Sequence, residues 1–317
     1  MKKDYLGSST MESSRLVLGG NVFGWTVNEH DSLKLLDAAF ELGINTFDTA
    51  DAYSIWASGN SGGESEAIIG KWLSQNSHRR SEVKIITKVG AELSPHQHGL
   101  SKGRILQAVD DSLRRLRTDY IDLYFSHYPD FSTAHEETLE TYSTLIACGK
   151  VRSIGASNYT LEDLQAAKSS ADRHALPHYA SLQVEYNLYD RHDFEQQLRS
   201  FSLAEGCEVL TYFSLASGFL SGKYKDLNDL THSARRDDLE KYFDERGMRI
   251  LHVLHQVAQE QQVSPAEIAL AWVMHQPGIT SAVASATNLE QLNSLARSTQ
   301  LDLDAQSLER LDLASLL

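Results

Sequence analysis

The sequence predicts an α/β protein folded as a (β/α)8 TIM barrel, with its functional site at the C-terminal face of the strands. Short runs rich in β-branched and aromatic residues alternate along the chain with amphipathic segments that have helical spacing. Eight such runs occur within 317 residues, and alternation of this kind implies a parallel sheet. No shift in composition marks a boundary, so residues 1–317 are expected to form a single domain.

Each predicted strand is followed by a helical segment or a long loop. The strands are 15–20 (RLVLGG), 44–47 (INTF), 83–88 (VKIITK), 120–127 (YIDLYFSH), 151–157 (VRSIGAS), 181–186 (SLQVEY), 208–212 (EVLTY) and 280–285 (TSAVAS). Eight units in a chain of this length fit a closed barrel better than an open sheet. The alternative is a doubly wound open sheet, but its usual marker, G-x-G-x-x-G after the first strand, does not match GGNVFG at residues 19–24.

The helical segments between these strands carry apolar residues at helical spacing. They are residues 32–42, 64–73, 102–117, 133–148, 161–171 and 194–204. Residues 264–267 (SPAE) form a capping box with proline at the first helical position. Thr160 and Asn288 are predicted N-caps, and Gly43 and Gly149 lie where helices end.

The charge composition of the chain argues against some classes of binding partner. The chain has 29 basic and 43 acidic residues, a net charge of −14, so its surface repels nucleic-acid phosphates and anionic membranes. No apolar run approaches the ~18 residues that a membrane span needs. The two cysteines, Cys148 and Cys207, lie in no metal or redox spacing, as expected in a reducing cytoplasm.

One interruption of the alternation is long. Residues 213–246 follow the seventh strand without a clear helical or strand pattern. A loop of that length in a compact domain is usually functional.

Reactive side chains stand at the ends of three consecutive predicted strands. The second strand ends at Asp48, with Tyr53 in its loop; the third ends at Lys88 and the fourth at His127. Taken singly, each residue has an ordinary explanation: capping or pairing for the acid, solvent exposure for the lysine, and loop or rim packing for the two rings. Because all four meet at one rim of a barrel, a shared site is the better interpretation.

These four residue types suit proton transfer at a carbonyl or alcohol oxygen. A tyrosine hydroxyl has an ordinary pKa of about 10, and a neighbouring ammonium lowers it. Asp48 would keep Lys88 charged and in place, and His127 could hydrogen-bond the substrate oxygen. A hydride moving to or from the carbon must come from a cofactor.

Several segments resemble the aldo-keto reductase superfamily, in the right order and over nearly the whole chain. They are INTFDTADAYS, GGESEAIIGKWL, IITKVG, LYFSHYPD, GKVRSIGASNYTLEDL, LQVEYNLYDR and GFLSGKY. The resemblance implies a (β/α)8 barrel that binds a nicotinamide dinucleotide without a Rossmann domain. It also implies Tyr53 as general acid, Lys88 and Asp48 tuning it, and His127 orienting the carbonyl.

The resemblance further implies where the cofactor binds. Ser157, Asn158 and Gln183 match the positions that hold the nicotinamide carboxamide, and Tyr212 matches the tyrosine that stacks on the ring. The remaining cofactor positions are Leu215, Ser217, Gly218 and Leu220 along the pyrophosphate, and Ser285, Thr287, Asn288 and Gln291 at the adenosine end. Residues 213–246 are expected to fold over the cofactor.

The chain departs from the family pattern at two places. The usual Tyr-Ser-Pro-Leu is here Tyr212-Phe213-Ser214-Leu215, and the asparagine expected beyond Gln291 is replaced by Leu295. Residues 285–288 offer hydroxyls, an amide and a helix N-terminus to a phosphate, with no acidic residue among them. NADPH is therefore the expected cofactor, with NADH as the alternative.

Other features carry competing interpretations. Phe23, Trp25, Trp56 and Tyr128 either shape an apolar substrate pocket or pack within loops, and the Arg235-Arg236 pair either reaches the cofactor phosphates or is a solvated charge run. No metal site is expected, because the two histidines in residues 96–98 (HQH) lack further ligands nearby.

Three classes of function follow. The leading one is reduction of an aldehyde or ketone, with a small carbonyl compound as the partner. The second is a Schiff-base aldolase using Lys88, which the neighbouring Asp48 disfavours. The third is a cofactor-binding regulatory subunit of a membrane channel, a role that some relatives of this fold have. The oligomeric state and the physiological substrate are not readable from the sequence.

Overall fold

The computed structural model describes residues 3–5, 12–231 and 233–317. Eight parallel strands close into a barrel, which confirms the predicted fold class. Two strands form an antiparallel pair before it: β1 (Lys3–Tyr5) and β2 (Glu12–Ser14). The barrel strands are β3 (Leu16–Gly19), β4 (Thr46–Asp48), β5 (Lys84–Val89), β6 (Ile121–Ser126), β7 (Val151–Ser157), β8 (Ser181–Glu185), β9 (Glu208–Tyr212) and β10 (Ser281–Ala284). Each pairs with its neighbours in the chain, and β10 pairs with β3 to close the barrel.

Helices connect the strands. They are α1 (Glu29–Glu41), α2 (Glu64–Gln75), α3 (Lys102–Leu116), α4 (His135–Ala147), α5 (Leu161–His174), α6 (Arg199–Glu205), α7 (Arg236–Leu239), α8 (Glu245–Gln261), α9 (Pro265–His275), α10 (Leu289–Ser298) and α11 (Ala305–Ser315). In the described part of the chain, no helix is both long and apolar enough to cross a membrane.

The predicted caps are confirmed. Thr160 accepts a hydrogen bond from the Asp163 backbone and forms a reciprocal capping box at the start of α5. Ser264 and Glu267 form the predicted box at the start of α9, with proline at the first helical position. The Asn288 side chain caps α10. Local side-chain chemistry therefore fixes these helix starts.

The segment 213–246 is more ordered than a structureless loop. It contains three short 3-10 turns (Ala216–Ser221, Leu227–Leu230 and Glu240–Tyr242), the four-residue helix α7 and the first two residues of α8. Turns this short have no amphipathic period, which is why the sequence pattern gave no sign of them. Buried apolar side chains anchor the segment, among them Phe219, Leu230, Leu239 and Tyr242.

The predicted helix at 194–204 also differs from expectation. Residues Phe194–Leu198 form one π-helical turn, and α6 continues from it as α-helix over Arg199–Glu205.

Strand alternation separates two apolar layers. Val17, Ile86, Leu123, Phe125, Leu210 and Val283 form one buried cluster, apart from the larger cluster that the helices share with the other strand faces. The small cluster fills the barrel interior, because successive side chains of a strand point to opposite faces. Ile86 lies in that cluster, so Lys88, two residues later on β5, also points into the barrel, near its C-terminal end.

The opposite end of the barrel is held by ionic contacts. Asp122, near the start of β6, accepts hydrogen bonds from Arg80 at 2.8 Å, from Arg152 at 3.1 Å and from the Ile85 backbone at 3.0 Å. The two guanidinium groups also lie over the Tyr120 ring, at 3.7 and 3.8 Å from its centroid. This network ties together the amino ends of β5, β6 and β7.

A pair of helical glycines provides a test of helix packing. A methyl group at Gly70 of α2 would lie 2.0 Å from the Arg115 carbonyl oxygen on α3, whereas one at Gly103 meets nothing within 4 Å. Gly70→Ala should lower the free energy of unfolding by about 1–3 kcal/mol, because the helices cannot stay this close. Gly103→Ala should leave it unchanged or raise it by about 0.5–1 kcal/mol. Urea unfolding curves of both variants measure this, and equal stabilities would contradict the packing of α2 on α3.

Candidate active site

Three of the predicted residues form one buried hydrogen-bonded group inside the barrel mouth. Lys88 Nζ lies 2.8 Å from each carboxylate oxygen of Asp48 and 2.9 Å from the Thr49 carbonyl. The same ammonium donates to the Tyr53 hydroxyl at 2.9 Å, and that hydroxyl donates to Asp48 Oδ2 at 3.1 Å. Gln183 Nε2 on β8 donates to Asp48 Oδ1 at 2.9 Å. Residues far apart in sequence therefore share one carboxylate.

The turn after β4 brings Tyr53 to this group. Thr49 N donates to the Ile86 carbonyl at 2.8 Å and Asp51 N to the Lys88 carbonyl at 3.2 Å, so the pairing with β5 continues beyond the strand. The chain then bends, with Tyr53 N bonded to the Ala50 carbonyl at 3.2 Å. The five-residue spacing from Asp48 to Tyr53 thus corresponds to a short extension and one turn.

Burial sets the ionisation of these groups. Burial raises the pKa of Tyr53 well above its ordinary value, and the charge of Asp48 adds to the effect. Burial also lowers the pKa of Lys88, against the opposing effect of Asp48. The predicted contact between the ammonium and the hydroxyl is present, but the pKa of Tyr53 is raised by burial and not lowered as expected. Tyr53 is therefore protonated at neutral pH.

His127 follows β6 at the same rim. Its backbone N–H bonds the Val89 carbonyl at 2.8 Å, and its ring centroid lies 6.1 Å from that of Tyr53. Burial, together with the charge of Lys88, holds the pKa of His127 well below its ordinary value, so the ring is neutral. Nδ1 is buried and has no partner among the described residues. A buried polar atom without a partner needs an explanation, such as a bound water or ion.

A cavity of about 1210 Å³ lies over this group. Asp48, Tyr53 and His127 line it, whereas Lys88 does not. Of the predicted cofactor positions, the lining includes Ser157, Asn158, Gln183, Tyr212, Leu215, Ser217, Gly218, Ser285, Thr287, Asn288 and Gln291. The C-terminal face of the barrel thus brings the predicted cofactor positions to a single space, with one exception.

The exception is Leu220. Its side chain is fully buried and does not line the cavity, and its backbone N–H bonds the Leu215 carbonyl at 3.2 Å. The Gly218 N–H bonds the same carbonyl at 2.9 Å. The 3-10 turn that begins at Ala216 therefore uses these two N–H groups internally, contrary to the expectation that they face a pyrophosphate. The Ser217 hydroxyl is buried without a partner in the described part of the chain.

The side chains at the carboxamide positions are ordered by one another. Asn158 adopts a left-handed conformation with φ 62°, and its Nδ2 donates to the His127 carbonyl at 2.9 Å. Its Oδ1 accepts from the Tyr212 hydroxyl at 2.6 Å. Ser157 Oγ donates to the Gln183 carbonyl at 3.0 Å. These contacts hold three amide and hydroxyl groups at the cavity wall before any ligand is bound.

The opposite end of the cavity lies around the start of α10. The backbone and hydroxyl of Thr287 both donate to Gln291 Oε1, at 2.9 and 3.0 Å, and Asn288 caps the helix. Ser285 Oγ donates to Asn21 Oδ1 at 2.5 Å. Leu295 lines the cavity where the family pattern has asparagine.

Two cations of the lining were missed from the sequence. Lys223 follows directly on the segment GFLSG, which gave a positional signal, and Arg297 lies on α10 beyond Gln291. Arg297 Nε also bonds the buried Glu267 at 2.5 Å. Arg235, for which two interpretations stood open, lines the cavity with its guanidinium carbon 5.4 Å from the Trp25 ring. Its neighbour Arg236 is exposed and pairs with Glu240.

Of the aromatic residues with two open interpretations, some line the cavity and others pack elsewhere. Trp56 and Tyr128 line the cavity, and Trp25 packs edge-on against Trp56 at 5.6 Å. Phe23 is buried and does not reach the cavity, so its packing in the core is the correct interpretation. No group of three or more metal-ligating side chains occurs among residues 3–5, 12–231 and 233–317.

Comparison with known proteins agrees with this geometry. A sequence model of the aldo/keto reductase family matches residues 15–315. The Bacillus subtilis (strain 168) protein named "Uncharacterized oxidoreductase YrpG" is 33% identical, over 98% of this chain and 95% of its own length. "Protein tas" of Escherichia coli (strain K12) is 31% identical, over 96% of this chain and 94% of its own length.

A further relative is named for a different role. The Oryza sativa subsp. japonica protein named "Probable voltage-gated potassium channel subunit beta" is 32% identical, over 92% of this chain and 89% of its own length. Similarity at this level and over this length covers the whole barrel. On the family match and these relatives, the chain belongs to the aldo/keto reductase family.

Proposed function

We propose that this protein reduces the carbonyl group of an aldehyde or ketone to an alcohol, with NADPH as the hydride source and Tyr53 as the proton donor. The contacts of the Tyr53 hydroxyl carry the proposal: it lies 2.9 Å from Lys88 Nζ and 3.1 Å from Asp48 Oδ2 at the wall of the cavity. A hydroxyl held in this way can give its proton to an oxygen placed in the cavity.

Each of the four residues has a distinct part in the proposal. Tyr53 is protonated at neutral pH, as a donor must be, and Lys88 steadies the phenolate that forms when the proton leaves. Asp48 keeps the ammonium charged and directed, since two of its contacts go to the carboxylate. The neutral His127 ring lines the cavity and would orient the carbonyl oxygen.

The cavity residues fit a nicotinamide dinucleotide. The amide and hydroxyl groups of Ser157, Asn158 and Gln183 would hold the carboxamide, and Tyr212 would stack on the ring. The buried, unpartnered Ser217 hydroxyl fits a polar ligand such as a phosphate. When bound, the cofactor supplies a hydride to the carbonyl carbon. The chain would act as a single barrel domain, with residues 213–246 covering the cofactor.

The cations of the cavity lining support NADPH over NADH as the cofactor. The lining contains the cations Lys223, Arg235 and Arg297, of which Arg297 pairs with Glu267. Its acids are Glu92 and Glu290, both exposed, and Asp48, whose charge Lys88 offsets. The hydroxyl of Thr287 and the N-terminus of α10 add phosphate-binding groups at the adenosine end. NADH stays the alternative, since no arginine lies within residues 285–288.

A regulatory role is the second candidate, because one relative is named as a potassium channel subunit. In that case the chain would bind the cofactor with little turnover. The Schiff-base alternative has less support: the Lys88 side chain is fully buried, bonds four acceptor atoms and does not line the cavity.

For the proposed reductase, the partner is a small carbonyl compound, and the proposed location is the cytoplasm.

Removal of the Tyr53 hydroxyl tests the proton donor. Tyr53→Phe should lower kcat by about 10²–10⁴-fold, because positioned acid catalysis contributes that much. Cofactor affinity should be unchanged. Kinetics with a panel of aldehydes, beside a fluorescence titration, measure both. Tyr120→Phe, at the opposite end of the barrel, is the matched control and should turn over normally; full activity of Tyr53→Phe would refute the assignment.

Tryptophan fluorescence tests the cofactor. Trp56 lines the cavity and contacts Trp25, so a bound nicotinamide should quench their emission. NADPH is expected to bind at least about tenfold more tightly than NADH, a difference of about 1.4 kcal/mol from its extra phosphate. Equal affinities would contradict the NADPH preference. Absence of quenching by either would remove the cofactor role.

A further inference from the structure

A second buried ion pair lies behind the turn that carries Tyr53. Asp51 Oδ2 accepts a hydrogen bond from Arg104 Nη2, on the first turn of α3, at 2.5 Å. The two side chains are 1% and 9% exposed, and neither lines the cavity. The pair therefore has no direct access to a substrate or cofactor.

The backbone of Asp51 connects this pair to the site. Its N–H bonds the Lys88 carbonyl at 3.2 Å, and Asp51 lies two residues before Tyr53. The turn is thus attached to β5 through its backbone and to α3 through its side chain. Within the described residues Arg104 is the one bonded partner of the Asp51 carboxylate, since Oδ1 has none. The orientation of this side chain depends on a single contact.

A neighbouring pair balances the charge. Glu66 is fully buried, bonding Arg115 Nε at 2.7 Å and the Thr87 hydroxyl at 2.6 Å. Its negative charge acts on Asp51 and on Lys88. Asp48, Asp51 and Glu66 are matched by Lys88, Arg104 and Arg115, so loss of one cation leaves a buried carboxylate without compensation.

The pKa of the Asp51 carboxyl group lies close to neutral pH. Burial, followed by the charge of Glu66, raises the pKa of Asp51 to about 7, against the effects of Arg104 and Arg115. The titratable and charged groups that act on or feel this carboxyl come from α2, α3, β5, β6 and α4: Glu66, Arg104, Arg115, Lys88, Tyr124 and Tyr142. Above about pH 7 the carboxylate is charged and pairs with Arg104; below it the pair weakens.

We propose that Asp51 and Arg104 are positioning residues, whose ion pair fixes the turn that sets the Tyr53 hydroxyl against Lys88. The inference rests on the proposed reductase function. The ion pair acts through the turn and not through ligand contact. Its loss should therefore reduce turnover and leave cofactor binding unaffected.

Three variants test the pair: Arg104→Met, Arg104→Lys and Asp51→Asn. Arg104→Met and Asp51→Asn should each lower kcat by about 10²-fold, the effect of a shift of about 1 Å in a reacting group. Arg104→Lys should recover part of the loss. A variant that combines Asp51→Asn with Arg104→Met should have a kcat no lower than that of the poorer single variant, because both changes remove the same contact. The dissociation constant of NADPH, measured by tryptophan fluorescence, should change less than about twofold, or about 0.4 kcal/mol, because neither side chain lines the cavity.

The pH profile separates positioning from general weakening of the fold. In the unaltered protein kcat should fall as the pH drops through about 7, as Asp51 takes up a proton. Asp51→Asn should show a low kcat without that step. His127 does not supply a competing step there, because its pKa is depressed well below the ordinary value.

Asp122→Asn is the matched control, since Asp122 is also a buried aspartate paired with arginine, at the other end of the barrel. It should lose stability but keep kcat at temperatures where it stays folded. Unchanged kcat in Arg104→Met or Asp51→Asn would refute the positioning role. If Arg104→Met does not fold, Asp51→Asn and Arg104→Lys decide the question. An unaltered protein that binds NADPH but reduces no carbonyl compound would instead refute the proposed function, and the positioning role with it.

Discussion

The buried contact between Lys88 and Asp48 is the interaction on which the rest of the site depends. Both side chains are almost fully withdrawn from solvent, and an isolated charge in such a place would cost several kcal/mol. The protein offsets this cost with further hydrogen bonds, from Gln183 to the carboxylate and from the ammonium to the Thr49 carbonyl. With the ammonium held this firmly, the position of Tyr53 is determined as well. Since the contributing residues come from β4, β5 and β8, the site forms only when the barrel is closed.

The sequence was informative wherever a candidate site residue ends or follows a regular element. Asp48, Lys88 and His127 could be predicted because each ends or follows a strand, and a parallel barrel brings these ends together. It was less informative between the strands. Leu220 faces the core because a short 3-10 turn rotates it there, and turns of that length leave no periodic pattern. The Asp51–Arg104 contact joins residues 53 positions apart, so no local pattern could indicate it.

The charge of the cavity differs from that of the whole chain. The protein carries a net charge of −14, yet the cavity lining has as many cations (Lys223, Arg235 and Arg297) as acids (Asp48, Glu92 and Glu290). Arg235 is partly desolvated, which lowers its pKa, and it packs over an aromatic ring. An acidic surface and a cavity with cations in its wall can coexist because each charge acts strongly only within about a Debye length, ~10 Å at ordinary ionic strength. Anions can thus be attracted within the cavity by a protein that repels polyanions at its surface.

One end of the barrel holds the strands together and the other carries the cavity, and this separation affects how the sequence of such a protein can change in evolution. The network of Asp122, Arg80 and Arg152 fastens the amino ends of the strands, far from the loops that carry Trp25 and Trp56. Inherited changes in those loops can alter which molecules are accepted while the framework stays intact, as in other barrels of this architecture. A lineage descended from this chain could therefore acquire new preferences by exchanging residues at the mouth alone.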